Sequence, residues 1–170
     1  MIGVFFFING YYSFIYTSRR IGRNGIPFTL YKFKTLSDET YKSLQERQFR
    51  YGRFLRNTSL DELPQLWNIL IGNMSFVGPR PLPVEYLPYF TKEQQKRFEV
   101  NPGLTGWAQV NGRTTIDWDK KLSYDLEYVE RQSFFFDTKI LFLTLKVLFF
   151  EKNNKSLEET SLIDYVNCNK

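Results

Sequence analysis

A chain of 170 residues is long enough for one domain with a sizeable core, and its 42% apolar and 18% aromatic content excludes a disordered chain. The formal charge of +5 favours an anionic partner: nucleic acid, an acidic membrane surface or a phosphorylated substrate. With no histidine and a single Cys168, an internal disulfide and a zinc site are excluded, and acid–base or nucleophilic chemistry falls to Asp, Glu, Lys, Tyr, Ser or Thr.

The opening stretch, Met1 to Ile8, is apolar but far short of the ~20 residues that a spanning helix needs. It carries no basic lead and no small-residue cleavage site, which argues against a signal peptide. It reads as a strand or as the stump of a longer element. Two strands are predicted next, Ser13 to Tyr16 and Phe28 to Phe33, with a turn marked by Asn24-Gly25 between them. The resulting hairpin places Lys32 and Lys34 on one face. Residues 37–50 are polar and read as a helix or a mobile loop. Leu63, Leu66, Trp67 and Leu70 follow helical spacing, with Gly72 as the stop.

Gly78-Pro79-Arg80-Pro81 is a rigid turn, because the prolines fix φ on both sides of the arginine. Thr91 is predicted to cap a short helix running to Phe98. Asn101 to Gly106 reads as a loop, Trp107 to Val110 as a strand, and Asn111-Gly112-Arg113 as a turn. From Trp118 to Phe150 the pattern is helical. The part after Phe134 is dominated by large apolar residues, interrupted by Asp137, Lys139 and Lys146, so it either fills a core or lies in a membrane interface with its lysines snorkelling. After Glu151 the composition turns polar, which predicts a loosely held tail over residues 151–170. The fold class is therefore α+β: a small hairpin or sheet with several helices, and a C-terminal amphipathic, aromatic-rich helix.

The most informative stretch is Thr58-Ser59-Leu60-Asp61-Glu62-Leu63-Pro64-Gln65. Ser59 and Glu62 have the spacing of a capping box, and acidic residues in a first turn suit the helix dipole. Pro64 offers a different start, as the first helical residue, with Asp61 and Glu62 in the turn before it. A functional role is also readable, since a positive helix end also attracts phosphate. Two carboxylates beside a diphosphate need a bridging cation, and oxygen ligands with a phosphate partner point to magnesium. One carboxylate then serves as a nucleophile and the other holds the metal. Among the arginines, Arg80 stands out, because its turn presents the guanidinium fork at low entropic cost.

Several motifs occur in one order from about Ile8 to about Phe150. They are Arg20-Ile21-Gly22-Arg23-Asn24-Gly25, Tyr31-Lys32-Phe33-Lys34-Thr35, Thr58 through Asn68, Val77-Gly78-Pro79-Arg80-Pro81, and Pro102 through Arg113. Together they resemble the bacterial sugar transferases, the polyprenyl-phosphate glycosyl-1-phosphate transferases. That resemblance implies a sugar transferase catalytic domain over residues 1–150. It implies transfer of a sugar 1-phosphate from a UDP-sugar to polyprenyl (undecaprenyl) phosphate at the cytoplasmic face of the bacterial inner membrane, the first step of a surface polysaccharide or glycoconjugate. By the same resemblance Asp61 is the nucleophile and forms a phospho-sugar intermediate, Glu62 holds Mg2+, and Lys32, Lys34, Arg56, Arg80 and Arg113 contact phosphate.

Members of that family usually carry a long re-entrant apolar helix before the first hairpin. Here Ile2 to Ile8 reads as its remnant, and the Asp-Pro-Arg-like stretch usual before Arg53 is missing. The alternative reading is thus an inactive remnant that acts as a membrane-surface interaction module. A nucleic-acid binder finds no support, since the Lys and Arg residues are spread along the chain and no recognition motif is present.

Overall fold

The computed structural model describes residues 14–37, 43–48, 50–112, 116–150 and 161–168. The stretch Met1 to Ile8, Arg113 and the first part of the predicted tail lie outside these residues. The described chain begins with an antiparallel hairpin of β1 (Ile15–Ile21) and β2 (Pro27–Phe33), in which Tyr16 pairs with Lys32 and Ile21 with Pro27. The turn is the one that Asn24-Gly25 predicts. Both residues adopt positive φ, 55° and 75°, the backbone that a tight hairpin turn demands and that Asn and Gly tolerate best. The first strand runs further than predicted, because Arg19, Arg20 and Ile21 are paired rather than part of the turn.

Two short helices follow, α1 (Leu44–Arg47) and α2 (Arg50–Asn57). The hydroxyl of Thr58 closes the end of α2 by donating to the carbonyls of Phe54 at 2.8 Å and Leu55 at 3.2 Å. Ser59 then takes a left-handed φ of 59°, and Leu60–Glu62 form one 3-10 turn. The Ser59 side chain makes no capping bond to this turn, so the capping-box reading is not realised. Instead Pro64 leads directly into α3 (Gln65–Leu70), which leaves Asp61 and Glu62 in the turn before the helix. Gly72, with φ of 81°, ends this segment as expected.

The next strands correct the sequence reading. β3 (Ser75–Val77) and β4 (Gly103–Thr105) form a parallel pair, so the predicted loop Asn101 to Gly106 contains a strand. Glycine permits the approach: a Cβ on Gly103 or Gly106 would overlap the backbone of Gly78. Between the strands lie 3-10 turns at Val84–Tyr89 and Gln94–Phe98. The second is capped reciprocally, with Thr91 Oγ1 accepting from the Gln94 amide and Gln94 Oε1 accepting from the Thr91 amide. Trp107–Val110, predicted as a strand, is the one-turn helix α4, because Gly106 in extended conformation ends the strand just before it.

The single long helix predicted from Trp118 to Phe150 is two. α5 (Trp118–Arg131) starts at Asp117, whose Oδ1 accepts from the Lys120 amide at 2.7 Å, and it buries Trp118, Leu122, Asp125 and Tyr128 along one stripe. The chain turns extended at Gln132, and Ser133 Oγ accepts from the Phe136 amide to start α6 (Phe134–Phe150). One face of α6 buries Phe136, Ile140 and Val147, while Phe134, Phe135, Phe142 and Leu145 on other faces are exposed. Among the described residues, no helix is long and apolar enough to cross a membrane.

Three apolar clusters hold these elements. Ile21, Leu82, Phe90, Phe98, Trp118 and Leu122 form the largest; Val77, Tyr128, Phe136 and Ile140 form a second; Phe28, Leu30 and Met74 join the hairpin to the segment after α3. Each fully buried large side chain contributes about 1.5–3 kcal/mol. The predicted loose tail contains a further helix, α7 (Leu162–Cys168), whose Leu162 is 2% exposed within the largest cluster. Tyr165 secures it by donating to Asp119 at 2.8 Å.

Candidate active site

The turn Leu60–Glu62 faces a cleft of about 450 Å³ that collects residues from β2 to β4, α2 and α4 to α6. Asp61, 7% exposed, lies in its wall beside Glu62. One oxygen of Glu62, Oε1, accepts from Lys32 Nζ at 2.9 Å and lies 3.7 Å from Arg80 Nη2. The glutamate is thus held between two cations that come from the hairpin and from the Pro-Arg-Pro turn. Arg56, in the last turn of α2, lines the same cleft.

What brings Lys32 to Glu62 is a clamp that the sequence reading missed. Asn68 of α3 is fully buried; its Nδ2 donates to Thr29 O at 2.7 Å and its Oδ1 accepts from the Tyr31 amide at 3.2 Å. The clamp fastens α3 to the flank of β2 that carries Lys32. Burial lowers the Lys32 pKa below its ordinary value, the Glu62 carboxylate opposes that shift, and Arg80 reinforces it. Arg20, also unforeseen, adds charge nearby: burial and then Arg80 lower its pKa. Such a concentration of positive charge in and beside a half-buried cleft is chemically suited to a polyanion.

Arg80 is set by its surroundings. Pro79 and Pro81 are buried on either side, while the Arg80 side chain is about half exposed. Its carbonyl accepts from Arg97 Nη2 at 2.9 Å. Arg97 in turn is buried against Asp125, with Nε and Nη2 both donating to Oδ2 at 3.0 and 2.6 Å, and its guanidinium packs over the rings of Phe90 and Phe98. Burial raises the Asp125 pKa and Arg97 opposes the rise.

Part of the cleft lining is apolar. Leu63, Phe76 and Leu104 contribute to it together with Leu141 and Leu148 of α6, and the hydroxyls of Thr105 and Thr144 share a 2.7 Å hydrogen bond that seats α6 on β4. Lys139 lies over the Trp107 ring rather than reaching outward. Of the predicted phosphate contacts, Lys32, Arg56 and Arg80 therefore converge on Asp61 and Glu62. Lys34 sits one pleat further on, its amide donating to Phe14 O, and is not among the residues lining the cleft. Arg113 lies outside the described residues.

Among the described residues no cluster of three or more metal-ligating side chains occurs. The donor set still suits magnesium, which keeps several waters and takes one or two carboxylates plus substrate phosphate rather than a full protein cage. Asp61 and Glu62 are two adjacent carboxylates in a phosphate-favouring cleft, which fits that pattern.

A family pattern described as "Bacterial sugar transferase" matches residues 1–151. The chain belongs to the bacterial sugar transferase family. Relatives in this family include the "Uncharacterized sugar transferase EpsL" of Bacillus subtilis, 52% identical over 132 residues, which covers 75% of this chain and 65% of EpsL. The "UDP-glucose:undecaprenyl-phosphate glucose-1-phosphate transferase" of Escherichia coli is 40% identical over 146 residues, covering 77% of this chain and 32% of that protein. The "Undecaprenyl-phosphate galactose phosphotransferase" of Salmonella typhimurium is 38% identical over 156 residues, covering 79% and 33%. The chain thus spans about a third of the length of the latter two relatives.

Proposed function

We propose that this chain is the catalytic part of a phosphoglycosyl transferase, moving a sugar 1-phosphate from a UDP-sugar to polyprenyl phosphate at the cytoplasmic face of the bacterial inner membrane and so initiating a surface polysaccharide or glycoconjugate. The observation that carries this reading is the pairing of buried Asp61 with a Glu62 held between Lys32 and Arg80, in a cleft lined by both cationic and apolar side chains. The cationic side chains suit a diphosphate, and the apolar ones suit the start of an isoprenoid chain. The names of the relatives support the same substrates.

A carboxylate oxygen of Asp61 attacks the phosphorus that bears the sugar. A bond from Asp61 to phosphorus forms, the bond to the bridging oxygen breaks, and UMP leaves with the electron pair. A phosphate oxygen of the polyprenyl acceptor then attacks the same phosphorus, releasing Asp61 as a carboxylate and leaving a polyprenyl-diphosphate sugar. Neither attacking group needs a proton removed, which agrees with a chain that has no histidine. Lys32, Arg56 and Arg80 hold the phosphate oxygens in line, and Arg113 extends that set by resemblance to the family. Glu62, with Asp61 adjacent, would hold Mg2+, which would supply charge neutralisation on the transferred phosphate.

Exposed apolar side chains at the cleft rim, among them Leu63, Phe76 and Leu141, are suited to the membrane surface where the acceptor resides. The deciding experiment is transfer of radiolabelled sugar phosphate from a panel of UDP-sugars to polyprenyl phosphate, with and without magnesium, for the wild type and Asp61→Asn. Magnesium-dependent product that vanishes in the variant supports the reading. Lipid binding without product from any donor supports the membrane-surface module instead.

A further inference from the structure

The polar atoms of the cleft are not all at the phosphate end. Gln109 Nε2 and Oε1 and Asp125 Oδ1 are buried side-chain atoms that make no hydrogen bond, and both residues line the cleft. Native folds leave few such atoms without a purpose. Swapping the amide nitrogen and oxygen of Gln109 does not remove the deficit, since neither atom is bonded.

Each side chain is shaped by its surroundings. Asp125 is 4% exposed and Arg97 occupies only its Oδ2, so Oδ1 remains as a fixed acceptor. The Gln109 carboxamide lies over Gly106, where a Cβ would collide with it, so the glycine makes its room. Helices α4 and α5 are locked together by Trp107 Nε1, which donates to Glu127 Oε2 at 2.8 Å.

We propose that Gln109 and Asp125 form a recognition site for hydroxyl groups of the nucleotide-sugar donor. A carboxylate oxygen accepts only, while a carboxamide both donates and accepts; a ligand that satisfies both must itself donate and accept, as a hydroxyl does. Phosphate offers acceptors alone and would be repelled by Asp125, and an isoprenoid chain offers no hydrogen bond at all. The hydroxyls belong either to the transferred hexose or to the ribose. The site rests on the transferase reading and adds to it the residues that discriminate donors.

Gln109→Met provides the test, because it keeps the shape of the side chain while deleting both unmet polar atoms. Thermal stability is expected to stay level or rise, whereas kcat/KM for the donor falls about ten- to a hundredfold. On a donor lacking the recognised hydroxyl, wild type and variant converge. Convergence on deoxyhexose donors assigns the site to the transferred sugar, and convergence on deoxyribose donors assigns it to the nucleotide. Gln109→Leu repeats the measurement with a second apolar side chain. Equal kcat/KM for variants and wild type on every donor, or a loss that no deoxy donor abolishes, overturns the proposal while leaving the transferase intact. A wild type that turns over no donor overturns the transferase reading, and this site with it.

Discussion

The guanidinium of Arg97 donates to the carbonyl of Arg80 at 2.9 Å, so the buried pair of Arg97 with Asp125 is fastened to the backbone of the turn that presents Arg80 to Glu62. Arg97→Ala should therefore damage both fold and site. Leaving Asp125 as an uncompensated buried charge costs about 3–5 kcal/mol, measurable by urea unfolding. Arg97 opposes the rise that burial imposes on the Asp125 pKa, so its loss lets that pKa climb further. The folded variant then binds more protons than the unfolded chain in mild acid, and its destabilisation should shrink as pH falls. An unchanged deficit from neutral to acidic pH would count against this account.

Asp61→Asn is expected to abolish the covalent phospho-sugar intermediate, read by mass spectrometry of the protein after donor is added, with a melting temperature close to wild type. The two side chains differ little in size, and the substitution removes the nucleophilic charge. Retained turnover would take Asp61 out of that role.

Arg80→Ala separates catalysis from stability. The side chain is about half exposed, so its ion pair with Glu62 contributes little to folding, on the order of 1 kcal/mol or less. Turnover should fall by at least about tenfold, since a charge-assisted phosphate contact is lost. A large drop in melting temperature with unchanged kinetics would make the residue structural.

Lys32 gives a signature at high pH. Burial lowers its pKa below the ordinary 10.5 despite the opposing Glu62. Between the lowered folded value and 10.5 the unfolded chain binds more protons, so the Lys32 contribution makes the fold more stable as pH rises through that window. Lys32→Met removes this contribution. The stability difference between wild type and variant, followed by urea unfolding as pH approaches 10.5, should therefore move in favour of the wild type. A flat difference would contradict the burial argument.

The exposed apolar side chains make a separate prediction. Trp67→Glu and Phe142→Glu replace surface residues, so each should leave thermal stability within about 0.5 kcal/mol of wild type. Sedimentation with anionic vesicles should weaken about ten- to a hundredfold for each, as membrane burial of a large side chain contributes about 1.5–3 kcal/mol. Undiminished sedimentation of both variants would place the membrane contact elsewhere.

The catalytic candidates were legible because they are local: Asp61-Glu62 and Pro79-Arg80-Pro81 carry their geometry in neighbouring residues. Lys32 was legible as a cation on a hairpin face. The clamp that positions its strand was not, because Asn68 acts across 39 positions to Thr29, and an asparagine in a helix says nothing of a strand that it clamps. Arg97 and Asp125, 28 positions apart, are invisible for the same reason. Trp107 to Val110 was misread because four residues are too few for periodicity to separate a strand from one helical turn. The join at Gln132 and Ser133 was missed because helix-favouring residues lie on both sides, and only the Ser133 cap betrays it.

Helix α7 gives the cleft an attachment on its far side. The stretch matched by the family pattern ends at residue 151, yet Leu162 packs in the same cluster as Leu82 and Trp118, which also line the cleft. Changes in this outlying helix reach the cleft wall through Leu82 and Trp118, so variation there can alter the shape of the cleft without touching Asp61 or Glu62.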